Sequence, residues 1–270
     1  MTEAYIKLRL EGGEAYVRRD KLDQLRRVDA AIFDCDGVLI DIRNSYNSAI
    51  SRAVTCILES LIGYSPPESL ISNEIIFLFR KSGGFNNDWD TVYGILMFIL
   101  NGLPERLQGT LKRCVKAARW QSDPSERLSL VSEAMKKELG AIDLDEGFFM
   151  GLIDELKEFT ESLDVTGIDS VDRVLIGTVE TPKSLIDFYN VMKRFLRYPG
   201  EVRESVITRV FEEIFCGSEL FRETYGIEPR FHLGLGMIEN EHVIIQPETL
   251  NRLELIFGKA SFGISSGSIF

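Results

Sequence analysis

Hydrophobic positions along this 270-residue chain change their period twice, and the changes divide it. Residues 4–18 alternate apolar and polar around Glu11-Gly12-Gly13-Glu14, the pattern of a short β-hairpin or an extended arm. A compact apolar run, Ala30 to Phe33, then has the length of a buried strand and ends abruptly at Asp34. From Tyr46 the spacing becomes helical. Ala49, Ile50, Ala53, Val54, Ile57, Leu58 and Leu61 form one stripe, which Gly63 and Pro66-Pro67 stop. Ser122-Asp123-Pro124 predicts a helix through Leu128, Val131, Met135 and Leu139, ending at Gly140. Thr181-Pro182 predicts another, through Leu185, Ile186, Tyr189, Met192, Phe195 and Leu196, with Pro at the first helical position after a Thr cap. Val202, Val206, Val210, Phe211 and Ile214 keep the helical period until Gly217. Strand and turn signals return late. Gly236 to Ile245 reads as a small turn or hairpin, Glu248 to Phe257 as a helix ended by Gly258, and Ala260 to Ser265 as a strand.

The order is therefore strand, about 170 to 200 mostly helical residues, helix, strand, which predicts an α/β chain with a long helical insertion. In an α/β sheet, ligands sit outside the carboxyl ends of the strands. Asp34 and Asp36 would emerge at that edge, on a loop that Gly37 lets turn sharply. Two acids spaced i, i+2 after a strand suit a nucleophile paired with a general acid. They also suit Mg²⁺, a hard cation that takes oxygen ligands and keeps several waters. A D-x-D by itself commonly marks a solvated turn. Four apolar residues, D-x-D-G, two more apolar residues and then Asp41 two further on make a far more specific pattern.

The stretch Ala30-Ala-Ile-Phe-Asp-Cys-Asp-Gly-Val-Leu-Ile-Asp41 resembles the first motif of the haloacid dehalogenase (HAD) superfamily of phosphohydrolases. The resemblance implies that Asp34 attacks phosphorus and becomes an aspartyl-phosphate. It implies that Asp36 protonates the leaving oxygen and later activates water, with Mg²⁺ on the Asp34 carboxylate and the Asp36 backbone carbonyl. An acid at position 36 argues for phosphoryl transfer over carbon–halogen cleavage, because the dehalogenase branch lacks one there. Phe262-Gly-Ile-Ser-Ser-Gly267, at the end of the last strand, resembles the second HAD motif. By that likeness the Ser266 hydroxyl donates to a phosphoryl oxygen, and Gly37 and Gly267 belong to the substrate-binding loops. Taken alone, Ser-Ser-Gly-Ser reads as a flexible tail.

Lys81-Ser-Gly-Gly-Phe-Asn-Asn-Asp-Trp-Asp90 is the second unusual cluster. Paired glycines followed by amides, acids and an aromatic suit a loop whose backbone approaches a ligand. They equally suit a turn between helices, with Gly83/Gly84 ending one and Asn87 or Asp88 capping the next. Together with the D-C-D-G loop and Tyr225-Gly226 … Gly236-Met-Ile-Glu-Asn-Glu, the cluster is similar to a branch of HAD subfamily I phosphatases bearing G-G-F-N-N-D-W-D. That implies that Lys81, Asn86, Asn87, Asp88 and Trp89 face the catalytic loop and help select substrate. The likeness covers residues 28 to about 100 and 220 to 268, whereas residues 101–215 form an acidic helical expansion matching no familiar cap.

The expected fold is thus α/β, a HAD-like Rossmann-type core with a large, mostly α-helical cap inserted after strand one. Residues 1–28 form an N-terminal hairpin or arm, 29–43 and 244–270 the core, and 44–243 the cap. The family's third motif, a lysine, and its fourth, a late acidic pair, find no position here. Later sheet strands are missing too, so the expectation is an incomplete copy with little or no turnover.

At 44% hydrophobic and 27% charged, the chain has ample material for a core. The net charge of -11 argues against a nucleic-acid partner, since phosphate-backbone binding needs clustered Lys and Arg. A small phosphorylated metabolite remains compatible, its charge met locally by a metal and a few donors. Cys35, Cys56, Cys114 and Cys216 are widely spaced without C-x-x-C, so neither zinc nor a disulfide framework is indicated. His232 and His242 have no third ligand nearby and read as surface or capping residues. Lys112, Arg113, Lys116, Arg119 and Trp120 sit at helical spacing on a solvated face. The longest apolar run, Tyr93 to Leu100, falls short of the roughly 20 residues of a membrane span. The start lacks a secretion signal, which makes the cytoplasm the expected compartment and a membrane an unexpected partner. A rival reading is a non-catalytic helical binding or regulatory module derived from a HAD protein. The sequence leaves the particular substrate and the oligomeric state open.

Overall fold

The alternating residues at the start of the chain form β1 (Tyr5–Leu10) and β2 (Gly13–Arg18), paired antiparallel with Tyr5 opposite Arg18. The computed structural model describes residues 4–10, 13–25, 27–67, 70–118, 121–138, 144, 146–258 and 261–266. A short 3-10 turn and α1 (Leu22–Leu25) precede β3 (Ala31–Asp34) and the two-residue β4 (Ile40–Asp41). The helical insertion opens with α2 (Tyr46–Ile62), whose apolar stripe from Ala49 to Ile62 is buried. Gly63 closes it in the left-handed conformation, its N–H donating to the Glu59 carbonyl. Then come α3 (Asn73–Lys81), α4 (Asp88–Gly102) and α5 (Glu105–Ala118). Helix α4 is buried on nearly every side from Thr91 to Met97, as an all-round apolar helix must be.

Asp123 caps α6 (Pro124–Glu138), its Oδ1 accepting from the Ser125 and Glu126 N–H groups at 2.9 and 3.0 Å. After α7 (Glu146–Thr160) and α8 (Ile168–Ile176) comes α9 (Lys183–Leu196). Here Pro182 is the cap residue, not the first helical one. Its extended carbonyl accepts from the Leu185 and Ile186 N–H groups, a role that needs no N–H of its own. Helix α10 (Val206–Tyr225) starts at the Ser205 cap and continues past Gly217, where the sequence pattern predicts a stop. Gly217 does break the helical path, with φ 74°. The neighbouring Ser218 N–H then bonds the Gly234 carbonyl, so a donor freed by the break is satisfied across the fold. The segment expected as a hairpin is a 3-10 turn (Met237–Asn240) followed by β5 (His242–Val243), which pairs antiparallel with β4. Last come α11 (Pro247–Phe257) and β6 (Phe262–Ser265), the latter parallel to β3.

The chain is mixed α/β, 60% helical with small two-stranded sheets. It divides into two compact units, Met1–Ile42 with His242–Phe270, and Arg43–Glu241. The helical unit holds a continuous core running from Ala49 to Met237. In the α/β unit, Leu39 is the one buried hydrophobic side chain among the described residues. No helix among the described residues is long and apolar enough to cross a membrane.

Candidate active site

The α/β unit brings the two sequence motifs together through its parallel pair. The register runs Ala31 to Phe262, Ile32 to Gly263, Phe33 to Ile264 and Asp34 to Ser265. One step further, the Cys35 N–H donates to the Ser265 carbonyl at 3.2 Å. Neighbouring strands lie about 4.8 Å apart, so the Asp34 end of β3 and the Ser266 end of β6 emerge side by side. Asp34 and Ser266 are exposed, and Asp36 is half-buried. Gly267 lies outside the described residues.

The loop after β3 is tightly wound by its own backbone. The Cys35 carbonyl accepts from the N–H groups of Val38, Leu39 and Ile40 at 3.3, 2.9 and 3.0 Å. Gly37 donates to the Ile40 carbonyl at 2.8 Å and has φ 74°, a conformation L side chains rarely adopt. The far side is held by the β4–β5 pairing and by the Ile244 N–H, which donates to the Leu39 carbonyl at 2.7 Å. The two acids are thus fixed at the strand end by the backbone hydrogen bonds of Cys35, Gly37, Val38, Leu39 and Ile40, to one another and to the neighbouring strands β5 and β6.

Neither acid is neutralised. Among the described residues Asp34 and Asp36 have no ion pair or hydrogen-bonding side chain, and the Asp36 carbonyl accepts no backbone hydrogen bond. Burial pushes the Asp36 carboxyl above the ordinary carboxylate range, and the adjacent Asp34 charge pushes it the same way. Two mutually repelling carboxylates and an unused carbonyl are a donor set that fits a hard cation such as Mg²⁺, with water completing its shell. No cluster of three or more His, Cys, Asp or Glu side chains forms among the described residues, so this donor set is limited to two carboxylates.

The G-G-F-N-N-D-W-D segment belongs to the helical unit, and most of it serves structure there. Asn87 caps α4, its Oδ1 accepting from the Trp89 N–H at 2.9 Å. Asp88 receives Arg80 Nη2 at 2.9 Å, and Trp89 Nε1 donates to Glu212 at 3.0 Å. Gly84 is small because the 164–167 turn packs on it: a Cβ there would lie 2.3 Å from the Asp164 carbonyl oxygen and 2.5 Å from the Gly167 nitrogen. The paired glycines thus serve a backbone-on-backbone contact within the unit. Lys81 and Asn86 are exposed, and their side chains have no hydrogen bond or ion pair among the described residues.

Polar residues that the sequence pattern did not single out form one buried and one half-buried cluster in the same unit. Glu213 pairs with Arg209 and accepts from the backbone N–H groups of Arg230, Phe231 and His232 at 2.7, 2.6 and 3.3 Å. Asp172 accepts from Tyr93 at 2.8 Å and also holds Tyr189 and Lys193. Their only sequence trace is a polar residue on an otherwise apolar face, which does not reveal a partner so distant along the chain.

No family model matches the chain, and no curated protein matches it. A solved X-ray structure, described as a Northeast Structural Genomics Consortium target, is similar with a TM-score of 0.53 and 18% identity. The match covers 87% of this chain and 61% of that one, so the chain spans less than two thirds of its structural neighbour. At this identity the likeness speaks to fold alone.

Proposed function

We propose that this chain carries the phosphoryl-accepting loop of a HAD-type, Mg²⁺-dependent phosphatase acting on a small phosphorylated metabolite, on a HAD-like Rossmann-type core with a helical cap. The observation that carries this reading is the parallel register that aligns Asp34 with Ser265, so that both motifs issue from adjacent strand ends. An Asp34 oxygen bonds to phosphorus as the bond from phosphorus to the leaving oxygen breaks. Asp36, held protonated to higher pH than an ordinary carboxyl, gives its proton to that oxygen. Water then attacks phosphorus while the Asp36 carboxylate takes its proton, and the bond to Asp34 breaks to release phosphate. The Ser266 hydroxyl donates to a phosphoryl oxygen, a contact whose loss costs about 3 kcal/mol in comparable sites. Mg²⁺ bound by Asp34 and Asp36 would supply charge neutralisation to the phosphoryl group.

Hydrolysis of two phosphomonoesters with good and poor leaving groups tests the assignment. Whatever Mg²⁺-dependent hydrolysis the chain shows with either ester should fall to background in Asp34→Asn. Asp36→Asn should slow the poor leaving group by about 10²–10⁴-fold and the good one much less, because only the former needs the proton. Mg²⁺-dependent hydrolysis that survives Asp34→Asn refutes the reading.

One observation favours a second reading, a non-catalytic binding or regulatory module. Ile32 and Ile264 on the parallel pair are 77% and 68% exposed, and Leu255 on α11 is 87% exposed. Exposed apolar side chains on both faces of the pair, Ile32 beside Gly263 on one and Ile264 beside Phe33 on the other, suit association. Light scattering would support this alternative by returning a stable oligomer from a chain whose Asp34 takes no phosphoryl group.

A further inference from the structure

We propose that the groove along the polar side of α2 is a binding site for a small polyhydroxylated anion. The groove has a volume of about 650 Å³, within the usual size of small-molecule sites. Asn47, Ser51, Arg52, Thr55 and Glu59 form one wall at helical spacing, on the side of α2 opposite its buried stripe. Ser65, Pro66, Ile71, Ser72 and Asn73 form the other. All of these residues lie in the helical unit, and the inference does not depend on the reading of the carboxylate loop.

Two features ask for a ligand. The Asn47 side chain donates through Nδ2 to Asn73 Oδ1 at 3.0 Å, yet its own Oδ1 is buried without a hydrogen-bond partner among the described residues. An unsatisfied buried acceptor costs roughly 1–3 kcal/mol, so a turn of the Asn47 side chain that brings its Oδ1 into the groove to meet a ligand O–H or N–H would relieve it. Arg52 is exposed on the same wall and has no carboxylate partner among the described residues. Its planar fork of donors fits a carboxylate or phosphate in two-point contact.

The remaining groups set the body of the ligand. Thr55 already donates its hydroxyl proton to the Ser51 carbonyl at 2.9 Å, so its oxygen presents lone pairs to the groove. Ser72 accepts from the Ile75 N–H, which leaves its own O–H to donate. A wall offering both donors and acceptors suits hydroxyl groups, which are both. Glu59 lies seven residues beyond Arg52, about 10 Å along the helix axis. An anion is repelled at that end, and a hydroxyl donor is welcomed. The anionic group therefore seats at Arg52 and the hydroxylated chain points toward Glu59. Burial, with the charges of Glu59 and Glu213, pushes the Cys56 thiol up to about 11, so it lines the groove as an unreactive thiol.

The test is a titration of the full, isotope-labelled chain without Mg²⁺, following the Asn47 side-chain amide and the Arg52 Nε–H by NMR. Gluconate and glucose 6-phosphate are the anionic probes, and glucose is the neutral control. Saturable shifts at both reporters are expected with either anion, and glucose should bind at least about tenfold more weakly. Arg52→Ala should weaken the anions by about tenfold or more, and Arg52→Lys should restore part of the loss. Asn47→Leu should weaken all three probes, and Asp34→Asn should change nothing. Anion binding indifferent to Arg52→Ala, or no saturable shift with either anion, overturns the proposal. Binding lost in Asp34→Asn also overturns it, because the anion then sits on the carboxylate loop, an outcome that leaves the phosphatase reading standing.

Discussion

The helical unit and the α/β unit differ in where their free energy resides. In the helical unit, long apolar stripes close over one another from Ala49 to Met237, and even its charged residues, Arg209 and Glu213, are buried and paired. In the α/β unit, Asp34 and Asp36 stand at a strand end with no ion pair among the described residues, and Leu39 alone among described hydrophobic side chains is buried. Backbone hydrogen bonds, more than apolar packing, hold its loop. Stability and candidate chemistry are therefore carried by different stretches of the chain. Substitutions should separate the two cleanly: those in the helices should unfold, and those at the acids should silence.

The sharpest contrast is between two ion pairs. Glu213→Ala leaves Arg209 buried and unpaired and orphans three backbone N–H groups, so urea unfolding should show a loss of about 3–5 kcal/mol. Glu228→Ala removes the exposed Arg222–Glu228 pair and should cost under about 1 kcal/mol. Comparable losses from both would erase the distinction between the helical unit's interior and its surface. Next in size, Ile57→Ala in the fully buried face of α2 should cost about 2–5 kcal/mol, whereas Ile32→Ala on the exposed sheet face should stay within about 0.5 kcal/mol.

Gly37→Ala probes the loop itself. A Cβ there meets nothing within 4 Å, so any loss comes from the positive φ, and a drop of about 1–3 kcal/mol in the unfolding of the α/β unit is expected. A neutral result would mean the loop does not need its left-handed turn.

The smallest effect is a pH dependence of the helical unit. Burial raises the Glu212 carboxyl above its ordinary value, against three donors that lower it: the Tyr225 hydroxyl, the Cys216 thiol and the Trp89 indole. The folded chain then keeps this proton where the unfolded chain has lost it. Its contribution is complete below the ordinary carboxylate pKa and declines as pH rises through the folded value. Urea midpoints measured from acid to neutral pH should fall with pH by this contribution, and Glu212→Gln should flatten the slope. An unchanged slope in the variant would assign the dependence elsewhere.

Local features were readable from the sequence, and distant ones were not. The stripe of α2, the caps at Asn87 and Asp123, and the acids at the end of β3 each declare themselves within a few residues. The pairing of Ile40–Asp41 with His242–Val243, and of Trp89 with Glu212 123 positions away, depends on burial that no local pattern encodes. Gly84 was ambiguous for a physical reason: a glycine that lets a ligand approach looks the same in sequence as one that lets a neighbouring turn approach. The α2 groove was invisible because a polar helix face is ordinarily a solvated one. Only the orphaned Asn47 oxygen distinguishes it.

The central claim is that Asp34 accepts a phosphoryl group at the mouth of the parallel pair. Acetyl phosphate, whose leaving group needs no proton, tests it most directly when the Mg²⁺-supplemented reaction is quenched in acid and the peptides are sequenced by mass spectrometry. The account predicts one acid-stable, base-labile phosphoryl group on Asp34, absent from a folded Asp34→Asn variant. A folded wild-type chain that acquires no such label, or acquires it at another residue, contradicts it.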